Sequence, residues 1–470
     1  MSMLDDIAAI IGADRILVGR DAAPYATDWT SQYKGTPLAV LRPGSTAEIA
    51  EIMKIAYATG TPIVPVSGHT GLTGGTLATD ALVLSVDRLN TIYDIDTAGR
   101  TATVGAGVIL SNLHTAADAH DLIFPLTFGA RGSAMIGGVL STNAGGSNVV
   151  RYGNTRDLCL GLEVVMADGR IMNLMSALHK DNSGLNLRHL MIGAEGTLGI
   201  ITAAVMKLKP KPRAYATAMI AVPSLDDALS LLHTMQDSTG GAVEAFEYMP
   251  RNYIDRHLSI ISGSKPPFET SYDVNILIEV GATAARDAIP GPDGQIPVVA
   301  QLEDTLGAML EDGRLLDAVI AQNDAQRAEM WRRREDAGEV MVHGEVIVNT
   351  DVAVPLDKVS AFEAAITPRL KALDPDCFEV IVSHLGDGNI HHTTFPSRND
   401  PALKDAMVEA VEDVVQELGG SFSAEHGVGI SKLETMRRRK DPVALDTMRA
   451  IKAALDPKGI LNPGKVIPRA

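Results

Sequence analysis

The stretch Ser383 to Thr393 reads SHLGDGNIHHT and carries three histidines, His384, His391 and His392. Gly386-Asp387-Gly388-Asn389 is dense in turn formers and has apolar flanks, so the spacing predicts a hairpin that draws His384 and His391 together. About forty residues later Glu425 and His426 stand side by side in SAEHGVG. Two imidazoles and a carboxylate are a standard set for a divalent ion that keeps positions open for a substrate. Surface histidines satisfied by hydrogen bonds would look the same, and on these residues alone both readings stand. A further cationic feature is WRRRED, Trp331 to Asp336. Three consecutive arginines on a helix cannot all face one way, so at least one is expected in solvent. A guanidinium turned inward would offer a bidentate fork to a carboxylate.

Two glycine-rich stretches form a second chemical signal. PVSGHTGLTGG runs from Pro65 to Gly75, and PLTFGARGSAMIGGVLSTNAGGSNVVRYG from Pro125 to Gly153. Successive glycines let consecutive backbone N–H groups converge on an anion without side-chain obstruction. Two such loops, with no partnering lysine, could hold a pyrophosphate by dipoles alone. Ordinary turns are the alternative, but Gly68, Gly71, Gly74 and Gly75 lie too densely for that. The usual nucleotide motifs fail. Gly105-Ala106-Gly107 lacks the third glycine of a Rossmann fingerprint. GILNPGK, Gly459 to Lys465, is followed by Val466 where a phosphate-binding loop needs Ser or Thr. NAD and ATP are therefore not expected.

The elements that must position these groups read as α+β. Ser45 and Glu48 form a capping-box pattern ahead of an amphipathic helix, followed by a short apolar strand, Ile63 to Val66. LVLSVDRL and RTATVGAG read as strands, and Leu158 to Leu174 as a hairpin. KPKPR, Lys209 to Arg213, is a Pro-rich charged break that suggests a domain boundary. Beyond it the order is strand, helix, strand, strand, then helices through Arg334, which predicts an antiparallel sheet with helices on one face. A chain of 470 residues exceeds one core, so two or more domains are expected. Its net charge of -17 argues against a nucleic-acid partner. Two cysteines make neither a disulfide framework nor a thiolate metal site and fit a reducing cytosol. The acidic N-terminus is not read as a targeting peptide, and no apolar run suits a membrane helix. A soluble, cytoplasmic protein is expected.

Both glycine-rich stretches, IGAEGTLGIIT (Ile192 to Thr202) and the terminal DPKGILNPGK resemble the vanillyl-alcohol oxidase and p-cresol methylhydroxylase superfamily. The resemblance runs from about residue 36 to 467 and is strongest to the D-2-hydroxyglutarate and D-lactate dehydrogenase branch. It implies a p-cresol methylhydroxylase-type FAD-binding domain of two subdomains (36–211), preceded by a lead-in (1–35). An α+β cap or substrate domain with an antiparallel sheet would follow (212–420), and then a short helical C-terminal segment returning to the flavin (421–470). Pro65, Gly68, His69, Thr70, Gly71, Gly74 and Gly75 would form the first pyrophosphate loop. Pro125, Gly129, Ser133, Gly137, Gly138, Thr142, Asn143, Gly145, Gly146 and Gly153 would wrap the ribityl chain, the pyrophosphate and the flavin edge. Glu195, Gly196, Gly199 and Ile200 would lie near the adenosine, and Asn462 near the isoalloxazine. His69 stands where some members carry a covalent flavin link; a hydrogen-bonding loop histidine is the expectation here.

The same resemblance assigns His384, His391 and Glu425 to a zinc or manganese ion, His426 to the general base, and Arg334 to the substrate carboxylate. His392 is left structural. The implied reaction takes a D-2-hydroxy acid to the 2-oxo acid, with hydride passing to flavin N5 and electrons to an electron transfer flavoprotein or a quinone. Three pocket positions depart from the D-2-hydroxyglutarate pattern. Gly338 replaces a threonine, Asn349 a lysine and Thr393 an asparagine. Loss of the lysine removes a partner for a second carboxylate, so a neutral or bulkier D-2-hydroxy acid is expected, unless Arg332, Arg333 or His343 substitutes for it. An oxygen-using oxidase, a non-redox transferase resembling alkylglycerone phosphate synthase and a flavin-binding partner subunit are the competing readings. Members of the family are often homodimers.

Overall fold

A computed structural model describes residues 3–343 and 346–469. Ser45 begins the helix Thr46–Thr59: its hydroxyl accepts from the Glu48 N–H at 3.2 Å. The Glu48 carboxylate reaches back to the N–H of Gly44, one residue before the cap. Gly60 ends the helix in the left-handed region at φ 69°. This helix and the neighbouring small strands build a four-stranded sheet in the order Ile16–Leu17, Ala39–Leu41, Leu82–Ser85, Ile63–Val66. The last three strands run parallel. A second sheet of five antiparallel strands follows the order Ile92–Asp96, Thr101–Gly105, Ile200–Lys207, Cys159–Val165, Ile171–Leu174. One apolar core, including Ile49, Leu82, Val104, Leu162 and Ala204, joins these two sheets.

The charged break is tied down rather than loose. Lys209–Pro210 pairs with Leu122–Ile123, and Ala214–Val222 then opens a seven-stranded antiparallel sheet. Its order is Asp317–Ile320, Ala214–Val222, Val274–Ala282, Val243–Pro250, Phe378–His384, Asn389–Phe395, Val348–Ala353. Four long helices, Leu225–Thr239, Pro297–Glu311, Val359–Leu373 and Pro401–Glu417, cover one face.

Two expectations need correction here. Asp317–Ile320 is an edge strand where only helix was expected. Helices also lie on the second face: Arg251–Ile260, Asp324–Glu335 and Ala337–Val342 bury Tyr253, Met330 and Val340 against Met219, Leu277 and Val382. The rest of that second face is polar.

The C-terminal segment returns to the first sheet. The Asn462 N–H donates to the Ile63 carbonyl at 2.8 Å, and Leu461 bridges Ile63. Among the described residues no helix is long and apolar enough to cross a membrane.

Candidate active site

The predicted hairpin forms, with Phe378–His384 paired to Asn389–Phe395. Gly388 at its turn takes φ 79°, and a Cβ there would lie 2.2 Å from the Val354 carbonyl oxygen, so only glycine fits. His384 faces Asn389 across the ladder, and His391 faces both Val382 and Asp351. Side chains alternate along a strand, so Glu247, His384, His391, Asp351, Asn349 and Thr393 share one face. This is the polar part of the second face. His392 points the other way. It is fully buried, with Nε2 2.7 Å from Glu379 Oε2 and an edge contact to Phe362, which accords with a structural role.

His384, His391 and Glu425 each bring a ligand atom within 4.8 Å of the others. The His384 and His391 rings meet edge to face at 5.2 Å, and His384 Nε2 is 3.9 Å from Glu425 Oε1. Burial pushes the Glu425 carboxyl up to about 7 against the attraction of His384. Its side chain makes no hydrogen bond among the described residues. Burial and the neighbouring His384 hold the His391 imidazole well below its usual range, which keeps it in the neutral form that ligates metals. A half-buried carboxylate that accepts no hydrogen bond, beside a neutral imidazole, is a donor set that a divalent ion would satisfy.

Two carboxylates complete the site, and neither stood out in the sequence. Glu247 is fully buried and accepts from His384 Nδ1 at 2.9 Å and from Arg334 Nε at 2.6 Å. Despite burial, His384 and Arg334 together hold its carboxyl down at about 2. That bond turns His384 Nε2 toward the cluster. Asp351 takes the backbone N–H groups of Glu425 and His426, both at 2.9 Å, and the amide of Asn389 at 2.9 Å. The signal for both was available: an acidic residue inside an otherwise apolar strand, AFEYM or TDVAV, must be buried with partners.

His426 stacks on His391 at 5.6 Å. Burial lowers its imidazole below the ordinary value although Asp351 opposes this. Of the three arginines, Arg332 is exposed while Arg333 and Arg334 are buried. Arg333 donates to the Lys265 carbonyl at 3.0 Å. Arg334 lies against the cluster, with Nη2 3.2 Å from His384 Nε2, and its Nη1 has no partner among the described residues. Asn349 is exposed and is the register partner of Thr393, whose hydroxyl is buried without a partner. Gly338 is exposed, with open space where a Cβ would stand.

The glycine-rich loops pack on each other. A Cβ on Gly68 would lie 2.3 Å from the Ser133 carbonyl oxygen, and one on Gly138 would lie 3.2 Å from Ser67 Cβ. Gly71 and Gly129 instead open onto space with nothing within 4 Å. Ser67 Oγ and Asn462 Oδ1 are buried and have no partner among the described residues. Orphaned polar atoms beside open glycines suit a polar cofactor such as FAD. Thr70 in the first loop is half-buried, and Pro125 at the start of the second is buried.

His69 sits at φ 54°; its Nε2 donates to the Thr27 carbonyl at 2.9 Å and its Nδ1 accepts from Thr76 Oγ1 at 3.1 Å. Both ring nitrogens are thus engaged by the protein. Asn462 donates to the carbonyls of Gly75 and Glu195. The Glu195 carboxylate accepts from the N–H groups of Val428 and Gly429 at 2.7 and 2.9 Å. Gly196 packs on Pro65, so Pro65, Gly75, Glu195, Gly196 and Asn462 come together.

Other glycines serve packing. Gly137 lies against Ala106 and Gly199 against Val164, while Ile200 is buried in the core. Thr142 donates to the Gly138 carbonyl, Asn143 caps its helix in the left-handed region, and Gly74, Gly146 and Gly153 take positive φ. Gly145 connects the two chemistries, because a Cβ there would lie 2.5 Å from Glu425 Oε1. Arg131 of the same loop pairs with Glu335, next to Arg334, at 3.2 Å.

The family model of the FAD binding domain matches residues 37–175, and that of the C-terminal domain of FAD linked oxidases matches residues 211–466. A D-2-hydroxyglutarate dehydrogenase of Xanthomonas citri is 36% identical over 452 residues, 95% of this chain and 92% of the relative. p-Cresol methylhydroxylase with substrate bound superposes with a TM-score of 0.73 at 16% identity, covering 98% of this chain and 96% of the other. Alkyldihydroxyacetonephosphate synthase gives the same TM-score at 16% identity, covering 98% and 84%. At such identities these two structures speak for the fold alone. The chain belongs to the FAD-linked oxidase family, with the p-cresol methylhydroxylase fold.

Proposed function

We propose that this protein oxidises a D-2-hydroxy acid to the corresponding 2-oxo acid, using FAD and a divalent metal ion. The observation that carries the reading is the meeting of His384, His391 and Glu425 within 4.8 Å, directly against Gly145 of a glycine-rich flavin loop. FAD, held by the two loops together with Glu195, Gly196 and Asn462, supplies a two-electron acceptor for the hydride of the substrate carbon. Zinc or manganese on His384, His391 and Glu425 supplies a Lewis acid that makes the substrate hydroxyl more acidic. His426 takes the hydroxyl proton, since burial keeps its imidazole neutral at working pH. Arg334 offers Nη1 to the substrate carboxylate while Glu247 fixes its Nε, so the fork is oriented before substrate arrives.

Asn349, Gly338 and Thr393, which on this reading face the substrate side chain, add no cation there. Arg332 and His343 are in solvent and Arg333 is committed to a carbonyl. The preferred acid therefore has a neutral side chain. The domain limits proposed are 36–211 for flavin binding and 212–420 for the cap, with 1–35 as lead-in and 421–470 returning to the flavin. The return of Asn462 to Ile63 supports the last of these. Electrons then leave to an electron transfer flavoprotein or a quinone. Two free, buried cysteines suit a reducing cytoplasm.

The test is anaerobic mixing with D- and L-2-hydroxy acids while the oxidised-flavin absorbance is followed. D-acids should bleach the flavin, L-acids should not, and chelator should abolish the bleaching until metal is restored. A flavin that no hydroxy acid reduces sinks the assigned chemistry. A kcat/KM for D-2-hydroxyglutarate above those of D-lactate and larger neutral acids sinks the substrate preference.

A further inference from the structure

The cluster holds two overlapping sets of metal donors, because Asp351, His391 and His426 also bring ligand atoms within 4.8 Å of one another. His391 belongs to both. The surroundings of Asp351 decide between them. Its side chain is fully buried and already accepts three N–H groups: the backbone of Glu425, the backbone of His426 and the amide of Asn389. The Lys432 ammonium stands 3.7 Å from Oδ2 and donates to the Asp351 carbonyl at 3.4 Å. A carboxylate that already accepts three N–H groups, with a cation beside it, is a poorer ligand for a second cation than one that accepts none. The Glu425 carboxylate carries no such bonds.

The two imidazoles meet Asp351 in the same way. His391 Nδ1 is 3.6 Å from Oδ1, and His426 Nδ1 is 3.6 Å from Oδ2. Their rings lie nearly parallel, 16° apart. Both therefore turn the Nδ1 edge to one carboxylate and the Nε2 edge away from it. On the strength of the proposed reaction, we infer that Asp351 is the positioning residue of the site. It stays out of the metal's coordination sphere and holds His391 and His426 in the Nδ1–H tautomer, so that His391 Nε2 faces the ion and His426 Nε2 faces the substrate hydroxyl. Through the two backbone N–H groups it also sets where Glu425 and His426 begin. A carboxylate behind a metal-bound imidazole orients the ring and raises its basicity, and here one carboxylate serves the ligand and the base together.

The experiment reads Co2+ uptake by the metal-stripped, FAD-loaded protein, by titration and by the visible spectrum of the bound ion. The wild type should take up one ion per chain. Glu425→Gln and His384→Ala should lose it, and His426→Gln should keep it at full affinity. Asp351→Asn should keep it with affinity lowered about 10- to 100-fold, and at saturating Co2+ its kcat should fall with little change in KM. If Asp351→Asn loses the ion as completely as Glu425→Gln, or binds it as tightly as the wild type, the inference is overturned while the metal reading survives. If the wild type takes up no ion, both fall together.

The tautomer needs no Asp351 variant and so guards against one that does not fold. Selective 15N-histidine labelling of the wild-type, metal-loaded protein should show Nδ1 protonated and Nε2 unprotonated on both rings, with signals assigned from His391→Gln and His426→Gln. A protonated Nε2 on either ring overturns the inference.

Discussion

The flavin-side loops and the sheet-side cluster do their work with opposite parts of the chain. In the loops the functional surface is backbone. Gly68 and Gly145 are small because another atom occupies the place of a Cβ, and Gly71 and Gly129 are open because nothing does. In the cluster the functional surface is side chains, drawn from the strand Val243–Pro250, the helix Asp324–Glu335, the hairpin and the loop at 425–426. A backbone site tolerates loss of a hydroxyl but no added carbon. A side-chain site tolerates added carbon at its edges but not loss of a charge partner. The two regions should therefore fail in distinguishable ways.

The largest effect is expected at Gly68. A Cβ 2.3 Å from the Ser133 carbonyl forces the two loops apart, so Gly68→Ala should be purified without FAD and without activity, with far-UV circular dichroism unchanged. An alanine variant with full flavin content would show that the loops do not need this contact. His426→Gln should do the reverse. It keeps the flavin spectrum and the metal, while kcat falls about 10²- to 10⁴-fold, the usual worth of a general base. A loss below about tenfold, with the metal retained, would remove His426 from that role.

Legibility in the sequence follows the same division. Backbone sites write themselves locally: glycine spacing, the turn GDGN and the cap at Ser45 are each decided within a few residues, and all three elements form. The histidines were legible because their type and the hairpin spacing suffice. Glu247 and Asp351 were not, because what makes them part of the site is pairing over long separations. Glu247 meets His384 across 137 residues, and Asp351 meets the Glu425 N–H across 74. Periodicity showed that these strands exist but could not tell which strands lie side by side. The helices on the second face were hidden for a related reason: Arg251–Ile260 and Ala337–Val342 are short, and only their packing on Met219 and Leu277 gives them a place.

A smaller effect separates charge from shape within the cluster. Arg334→Lys keeps a cation but loses the planar fork that serves Glu247 and leaves Nη1 free. KM for the hydroxy acid should rise about 10- to 100-fold with a lesser change in kcat, the pattern of a lost substrate contact. If kcat falls alone and KM holds, Arg334 acts on the metal ligands through Glu247 and His384 rather than on the substrate.

The smallest effect tests whether the polar face is special among buried carboxylates. On the opposite side of the same sheet Glu363 has no cation; it accepts from Tyr248 Oη at 3.3 Å, and its second oxygen is buried without a partner among the described residues. Burial pushes its carboxyl up to about 7, and Glu379 adds to this. Unfolded, it would titrate near the ordinary glutamate value of about 4.3. Between those two values the folded chain holds a proton that the unfolded chain has released. The protonated form stabilises the fold fully below the lower value, and that contribution is lost as pH rises through about 7. Glu363→Gln cannot ionise, so it should be more stable than the wild type by on the order of 2 kcal/mol at about pH 8 and nearly equal at about pH 4. Urea unfolding at the two pH values measures both. Asp351→Asn should show the opposite sign at the higher pH, because its carboxylate is held well below the usual range despite burial, with the His426 backbone N–H and the Lys432 ammonium beside it. Equal shifts for the two variants would mean that the cations around Asp351 do not set its charge, and the contrast between the two sheet faces would go with them.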